Sequence, residues 1–351
     1  MKIALKRRSP LSWWGKILLP IGAILISVIF SSLLIIWAKG NVVEAWYYIF
    51  VGSLGSRFTF LETLIKMTPL IFTGLAASIA FKAKFWNIGA EGQLYAGAFA
   101  AAALGILPLN MPSYLHIPLI LIGGFIAGGA LAFLPGYLKV KYKVDEIVCT
   151  ILLNYIVIYL LGALLDGPWR DLKSGWPHSP IIHESAKLPI LASRSRFHLG
   201  VVLAFIAVAI VYVLMEKTIF GYQIKIIGSN PSAAYFGGIP LYRTIVLLSF
   251  ISGGLAGLAG VCEVCAIQYY LVNDLSPGYG FFGIAVAMLA NMNPIGVVFS
   301  AFYFAVIITG SQVMSRMTGV PIYLNEIIQG IALLSMVLML LFDRYKVQIK
   351  L

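Results

Sequence analysis

Side chains able to do chemistry are scarce in this chain, so the places where they gather carry most of the information. The segment Phe85-Trp86-Asn87-Ile88-Gly89-Ala90-Glu91-Gly92-Gln93 inserts a carboxylate, two amides and two glycines between apolar runs. An ionisable group at such a place is costly unless neighbours or water satisfy it. Glu91 therefore either caps the helix that follows, through the charge–dipole attraction at a helix N-terminus, or meets a polar solute together with Asn87 and Gln93. A second segment, Val144-Asp145-Glu146 to Leu153-Asn154-Tyr155, puts two acids in a first helical turn, where they suit the dipole as caps. Asn154 lies deeper on the same helix, and an amide there needs a partner, either another helix or a solute in a path. A third polar break, residues 273–280, ends on Tyr279, with Phe281 just beyond it as an aromatic edge.

None of these groups suggests covalent chemistry. No serine–histidine pair and no His/Glu metal cluster lies within the apolar runs, and His116, His178, His183 and His198 read as loop residues. Cys262 and Cys265 form a C-x-x-C without a second ligand pair. Like Cys149 they sit in or beside apolar runs, where free cysteine is an ordinary buried residue, so neither metal, redox chemistry nor a disulfide is expected. The chain also lacks G-x-x-x-x-G-K-[ST], so it cannot cradle ATP in the P-loop manner. The expected chemistry is hydrogen bonding and gating along a path, without catalysis and without a bound cofactor.

The elements that must position these groups are membrane helices. Of 351 residues 60% are hydrophobic and 11% charged, against about a quarter charged in soluble domains. A spanning helix needs roughly 20 mostly apolar residues. Apolar runs fall at 17–37, 64–81, 94–109, 117–138, 147–165, 199–215, 245–264, 281–289, 295–309 and 327–341. The expected fold is therefore an all-α integral membrane protein of about ten transmembrane helices. The run at 281–289 is short and reads as a broken or tilted helix of the kind that lines a solute cavity. Residues 42–51, with Trp46, Tyr47 and Tyr48, read as an interfacial helix. Placing the N-terminus in the cytoplasm puts Lys6, Arg7, Arg8, Lys82, Lys84, Lys139, Lys141, Lys143, Lys217, Lys225, Arg243 and Arg344 inside, as the positive-inside rule asks. Both termini are then cytoplasmic, the proline-containing stretch 166–198 is external, and 217–243 is the longest cytoplasmic loop. The first helix is too long for a cleaved signal and reads as an anchor.

The two halves echo each other. Gly74-Leu75-Ala76-Ala77-Ser78 resembles Gly254-Leu255-Ala256-Gly257-Leu258, and each is followed by a polar break, at 87–93 and 273–280. An odd number of helices separates them, which is the signature of a five-plus-five inverted repeat: 17–165, then the external loop, then 199–343. Similar composition of Gly/Ala-rich helices is the alternative. Gly124 with Gly128 and Gly253 with Gly257 are spaced for close helix packing. In the cytoplasmic loop, Asn230 is a cap, Pro231 suits the first helical position and Gly237 an end, which predicts a short helix over Pro231–Phe236.

Four runs together resemble a known family: Asn87-Ile88-Gly89-Ala90-Glu91-Gly92-Gln93, Asp145-Glu146-Ile147 to Leu153-Asn154-Tyr155, Gly228-Ser229-Asn230-Pro231-Ser232-Ala233-Ala234, and Ser276-Pro277-Gly278-Tyr279-Gly280-Phe281 onward to Ala287. They look like the branched-chain amino acid, simple sugar and nucleoside permeases of ABC importers, and the nucleoside branch is the nearest. That branch usually carries histidine where Asp145 stands and arginine near Asn291 or Met292. The resemblance implies a multi-pass subunit of a prokaryotic plasma membrane that moves a small polar solute inward by alternating access. It implies three partners: a second permease, usually a paralogue, an extracellular solute-binding lipoprotein, and an ATPase that hydrolyses ATP on its own subunit. Asn87, Glu91, Gln93, Asn154, Tyr279 and Phe281 would then lie along or just behind the solute path. Gly228, Asn230, Pro231, Ala233, Ala234, Gly237 and Gly238 would couple to the ATPase, with small Ala233 and Ala234 facing it closely. A simple-sugar permease and an ion-coupled secondary transporter are the alternatives; the latter also uses inverted repeats and broken helices.

Overall fold

The computed structural model describes residues 2–7, 13–321 and 323–350; Arg8, assigned above to the cytoplasmic side, lies outside them. In chain order the helices are α1 (Trp13–Trp37), α2 (Val42–Leu54), α3 (Arg57–Lys82), α4 (Ala90–Ile106), α5 (Ser113–Tyr142), α6 (Glu146–Asp166), α7 (Leu199–Lys217), α8 (Ile219–Ser229), α9 (Pro231–Phe236), α10 (Leu241–Cys262), α11 (Tyr279–Leu289), α12 (Pro294–Thr318) and α13 (Tyr323–Arg344). Each of the ten apolar runs falls on a helix, although the run at 94–109 outlasts α4 by three residues. Among the described residues, six helices, α3, α5, α6, α7, α10 with its extension and α12, are long and apolar enough to cross a membrane. The short run is α11, whose 11 residues span about 16 Å, half of a roughly 30 Å hydrocarbon core. The segment read as interfacial is α2, and the short helix over Pro231–Phe236 is α9. An unexpected helix, α8, precedes α9 in the 217–243 stretch.

One element departs from an all-α description. Strand β1 (Lys2–Arg7) pairs antiparallel with β2 (Tyr345–Lys350), matching Lys2 with Lys350 and Arg7 with Tyr345. Hydropathy gives no sign of it, because each strand is a six-residue mixture of basic and apolar types at a chain end.

The chain divides into two compact units, Met1–Thr63 with Tyr303–Leu351, and Leu64–Phe302. In the first, α1 packs on α13 and α2 around Ile35, Ala45, Ile49, Met314, Leu324 and Ile328. The Asn41 side chain starts α2 by accepting from the Val43 and Glu44 N–H groups at 3.0 and 3.4 Å. The Trp46 indole donates to the Ser32 hydroxyl at 2.9 Å, which fixes α2 against α1.

The second unit is built on α4, α5 and α10. The two glycine pairs singled out by spacing meet: a Cβ on Gly128 would stand 2.3 Å from the Gly253 carbonyl oxygen, and one on Gly257 would stand 2.3 Å from that of Gly124. Backbone therefore lies on backbone, as small-residue interfaces allow. Gly257→Leu is expected to destabilise this unit by about 3 kcal/mol or more, since overpacking against rigid backbone cannot relax by rotamer change. A melting curve in detergent indistinguishable from wild type would contradict that packing.

The 166–198 stretch is an ordered cover. Its prolines leave only a 3-10 turn at Glu184–Ala186. Its backbone nevertheless finds partners, Ser179 N–H to Leu271 O at 3.0 Å, Ile182 N–H to Tyr269 O at 2.9 Å, Leu188 N–H to Cys265 O at 2.8 Å and His183 N–H to Gly105 O at 2.8 Å. One of the histidines, His116, is not a loop residue, and a second, His198, ends the stretch as a helix cap. His116 is buried in the first turn of α5, with its ring between the Ser185 hydroxyl (2.8 Å) and the Leu104 carbonyl (3.1 Å), and His198 caps α7 by accepting from Gly200 N–H at 3.1 Å. A buried imidazole with two hydrogen-bonding nitrogens pins a turn as a plain loop side chain would not. The three cysteines are free, with Cys262 and Cys265 buried.

Candidate functional site

The two polar breaks meet. α4 begins at Ala90 after the 83–89 connection, and α11 begins at Tyr279 after 269–278. Both helix starts are buried, and each leaves N–H groups without intrahelical partners. The carboxylate of Glu91 answers one from across the site: its Oε2 accepts the Gly280 N–H at 2.6 Å. The backbones touch there, since a Cβ on Gly280 would stand 2.2 Å from the Glu91 nitrogen. Glu91 therefore ties the start of α4 to the start of α11. The Ser276 side chain also hydrogen-bonds it, and Ser276 Oγ accepts from the Gly278 and Tyr279 N–H groups at 3.1 and 2.9 Å.

The amides form the rest of this knot. Asn87 Nδ2 donates to Gln93 Oε1 and to Ser252 Oγ, both at 2.9 Å, while Asn87 Oδ1 accepts from Gly89 N–H at 3.0 Å and Gln93 Nε2 at 2.8 Å. Ser252 in turn donates to the Ala76 carbonyl at 2.7 Å, so α3, the break and α10 are stitched together. Asn154 lies eight residues into α6, about 12 Å along it. Its Oδ1 accepts from Gly92 N–H at 2.7 Å and its Nδ2 donates to the Ile88 carbonyl at 3.0 Å. Asn87, Glu91, Gln93 and Asn154 are all buried, and their side chains satisfy the broken backbone.

Tyr279 and Phe281 differ from these. The Tyr279 hydroxyl is fully buried without a hydrogen-bond partner among the described residues, a state that costs a polar group about 1–3 kcal/mol. The Lys66 ammonium lies 6.0 Å from its ring centroid, and its carbonyl accepts from Thr73 Oγ1 at 3.0 Å. Phe281 is exposed on the first turn of α11.

Asp145 does cap α6, through Ile147 and Val148 N–H at 2.8 and 3.1 Å, but Glu146 does not. It is ion-paired with Lys139 and accepts from Trp86 N–H at 3.2 Å, because its position faces the 83–89 connection. Ser252, Ser276, Thr73 and Glu146 were not singled out by sequence as network members; hydroxyls in Gly/Ala-rich helices carry no periodic signal. Glu263, which opens a π-helical turn (Glu263–Gln268) at the end of α10, was also missed. It is buried and feels the charges of Lys66 and Arg196.

In the candidate set of the 217–243 stretch, Asn230 caps α9 by accepting from Ser232 and Ala233 N–H at 3.0 and 3.2 Å. Gly237 closes it and Gly238 takes a left-handed φ of 75°. Gly228 is held so close to the end of α3 that a Cβ would stand 1.9 Å from Lys82 O. The expectation that Ala233 and Ala234 both face outward needs correction. Ala233 is exposed, but Ala234 is fully buried within the chain, because the single turn that exposes one side of α9 must bury the other. The exposed large groups of α9 are Tyr235 and Phe236.

Helices interrupted by a buried polar crossing, in a chain with several membrane-length helices, define a multi-pass membrane transport protein. The comparisons agree. A family model described as "Branched-chain amino acid transport system / permease component" matches residues 59–337, and the chain belongs to that family. It is 31% identical over 340 residues to a glucose ABC transporter permease of Haloferax volcanii, covering 94% of this chain and 89% of that protein. It is 32% identical to a guanosine ABC transporter permease of Bacillus subtilis (91% and 92% covered) and 31% identical to a nucleoside ABC transporter permease of Lactococcus lactis (87% and 86% covered). The last two organisms each hold a second, more distant permease named for the same substrate, at 25% and 24% identity. No solved structure matches. The chain is thus a permease of the ABC type.

Proposed function

We propose that this chain moves a nucleoside inward by alternating access, as one of two paralogous permeases above an ATPase subunit and beneath an extracellular solute-binding lipoprotein in a prokaryotic plasma membrane. The carrying observation is the crossing of α4 and α11 at Glu91 and Gly280, two half-helix starts of the kind that line solute sites in transporters. Nucleosides and glucose, the solutes for which the relatives are named, share a hydroxylated ring that a buried phenol can bind. A simple sugar is the second reading, favoured by the glucose permease. An ion-coupled carrier is disfavoured by the family. Uptake of radiolabelled guanosine, uridine and glucose by cells with and without the chain tests this; uptake of none, or glucose alone, would overturn the nucleoside reading.

The unpartnered Tyr279 hydroxyl supports solute contact, since a group so placed gains most from a ligand oxygen. Tyr279→Phe removes an orphan, so folding stability should stay within about 0.5 kcal/mol of wild type. If that hydroxyl meets the solute, KM should rise about tenfold, the equivalent of about 1.4 kcal/mol. An unchanged KM would remove Tyr279 from the path.

The five-plus-five inverted repeat over 17–165 and 199–343, with both termini cytoplasmic, is supported by two features. The β1–β2 ribbon holds the chain ends together, as an even number of crossings requires, and the two breaks meet at one crossing. With cysteines placed at the exposed Ser174 and Ser232, an impermeant reagent should label only the first in intact cells. Labelling of the second alone would invert the topology.

A further inference from the structure

A groove of about 670 Å³ runs between α7 and α10, lined by Ile210, Val213 and Leu214 on one side and Leu247 and Ile251 on the other, with Thr218 and Phe220 at one end. Its walls are apolar and open sideways: Ile210, Val213 and Leu247 are 59, 51 and 49% exposed. Thr244 on α10 donates to Gln223 on α8 at 3.3 Å, so the start of α10 lies beside the chain that follows α7, at the Thr218 end. Helical spacing then identifies what stands there. Lys217 continues the stripe of Ile210 and Val213–Leu214, and Arg243 lies one turn before Leu247 and two before Ile251. Both are exposed, and neither forms an ion pair among the described residues, whereas neighbouring Lys225 is held by Glu216 at 2.6 Å. We propose that this groove holds an acyl chain of an anionic phospholipid whose headgroup lies between Lys217 and Arg243.

Length selects a lipid over a partner helix. The groove covers residues 209–218 of α7 and its end, about 14 Å, which is one leaflet of a roughly 30 Å core. A second permease helix would need a seam along both leaflets. The charges select an anionic headgroup, as basic residues between membrane helices do. The inference needs only that the chain spans a membrane, and so stands or falls independently of the solute.

The test is lipid retention. The full-length chain, with any subunits that copurify, is equilibrated in micelles with equal phosphatidylglycerol and phosphatidylcholine, washed with detergent, and its bound phospholipid counted by native mass spectrometry. Wild type should keep one phosphatidylglycerol per chain, at least tenfold over phosphatidylcholine. The double variant Lys217→Gln, Arg243→Gln alters only exposed groups and should lower phosphatidylglycerol retention about tenfold, and Val213→Trp should lower retention of both lipids by filling the groove. Equal retention of the two lipids by wild type, or undiminished phosphatidylglycerol in the double charge variant, overturns the proposal. So does efficient cross-linking of Ile210→Cys to a second permease chain, which would make the groove a subunit seam. Should Val213→Trp fail to accumulate, the charge variant decides alone.

Discussion

Glu91→Ala is expected to lower solute uptake at least a hundredfold while Glu91→Gln stays within about tenfold of wild type. The carboxylate does two things at once. It accepts the Gly280 N–H at 2.6 Å, and through Ser276 it reaches the residue whose Oγ receives the Gly278 and Tyr279 N–H groups. Alanine leaves the Gly280 donor buried and unmatched, which costs about 1–3 kcal/mol, more when the lost partner is ionised. A hundredfold change corresponds to about 2.7 kcal/mol, so that loss alone reaches the required size if it falls on the conducting state. Glutamine keeps an acceptor at the same reach. It loses only the charge, which near a helix start is worth roughly 0.3–1 kcal/mol. The check is uptake into proteoliposomes alongside a melting curve for each variant. Wild-type uptake by Glu91→Ala would mean that the crossing is not part of the path.

The helices were legible because hydropathy over 20 residues is a strong signal, and each of the ten apolar runs falls on a helix in the structure. The glycine pairs at 124/128 and 253/257 were legible for a similar reason, since four-residue spacing of side chains without bulk has few uses other than close packing. α8 was hidden: Ile219–Ser229 mixes Ile224, Ile226 and Ile227 with Lys225 and two glycines, and so looks like a connection. The polar knot was visible only as parts. Asn87, Glu91, Gln93 and Asn154 stood out against apolar surroundings, but nothing local says that Asn154 reaches Gly92 or that Glu91 meets Gly280. Those pairings are 62 and 189 residues apart in sequence and exist only after the helices pack. Ser252 carries no signal at all, since serine in a Gly/Ala-rich helix is common and only its contact with Asn87 distinguishes it.

Phe236→Glu should leave the chain folded and inserted but reduce solute-stimulated ATP hydrolysis and uptake at least tenfold, whereas Ala234→Glu should prevent folding. The two residues lie on opposite sides of one short helix. Phe236 is 88% exposed and Ala234 is 0% exposed. A charge at the first site meets water, and surface changes of that kind usually move stability by no more than about 0.5 kcal/mol. A charge at the second is buried without a partner, at a cost of several kcal/mol against a total stability of only about 5–15 kcal/mol. If the exposed face docks an ATPase, its connection inward is what would make it effective. α9 follows α8 through the Asn230 cap, and Gly228 presses on the Lys82 carbonyl with no room for a side chain. The Lys84 ammonium adds a bond to the Ser229 carbonyl at 3.4 Å. Five residues after Lys82 comes Asn87, the centre of the amide knot, so a push on α9 would have a packed route to the break where α4 begins. An ATPase gripping Tyr235 and Phe236 would therefore act on the α4–α11 crossing through packed backbone. Phe236→Leu, which keeps an apolar contact, should retain most activity. Full ATP-dependent uptake by Phe236→Glu in reconstituted vesicles would reduce α9 to a connector and leave the coupling surface to be sought elsewhere.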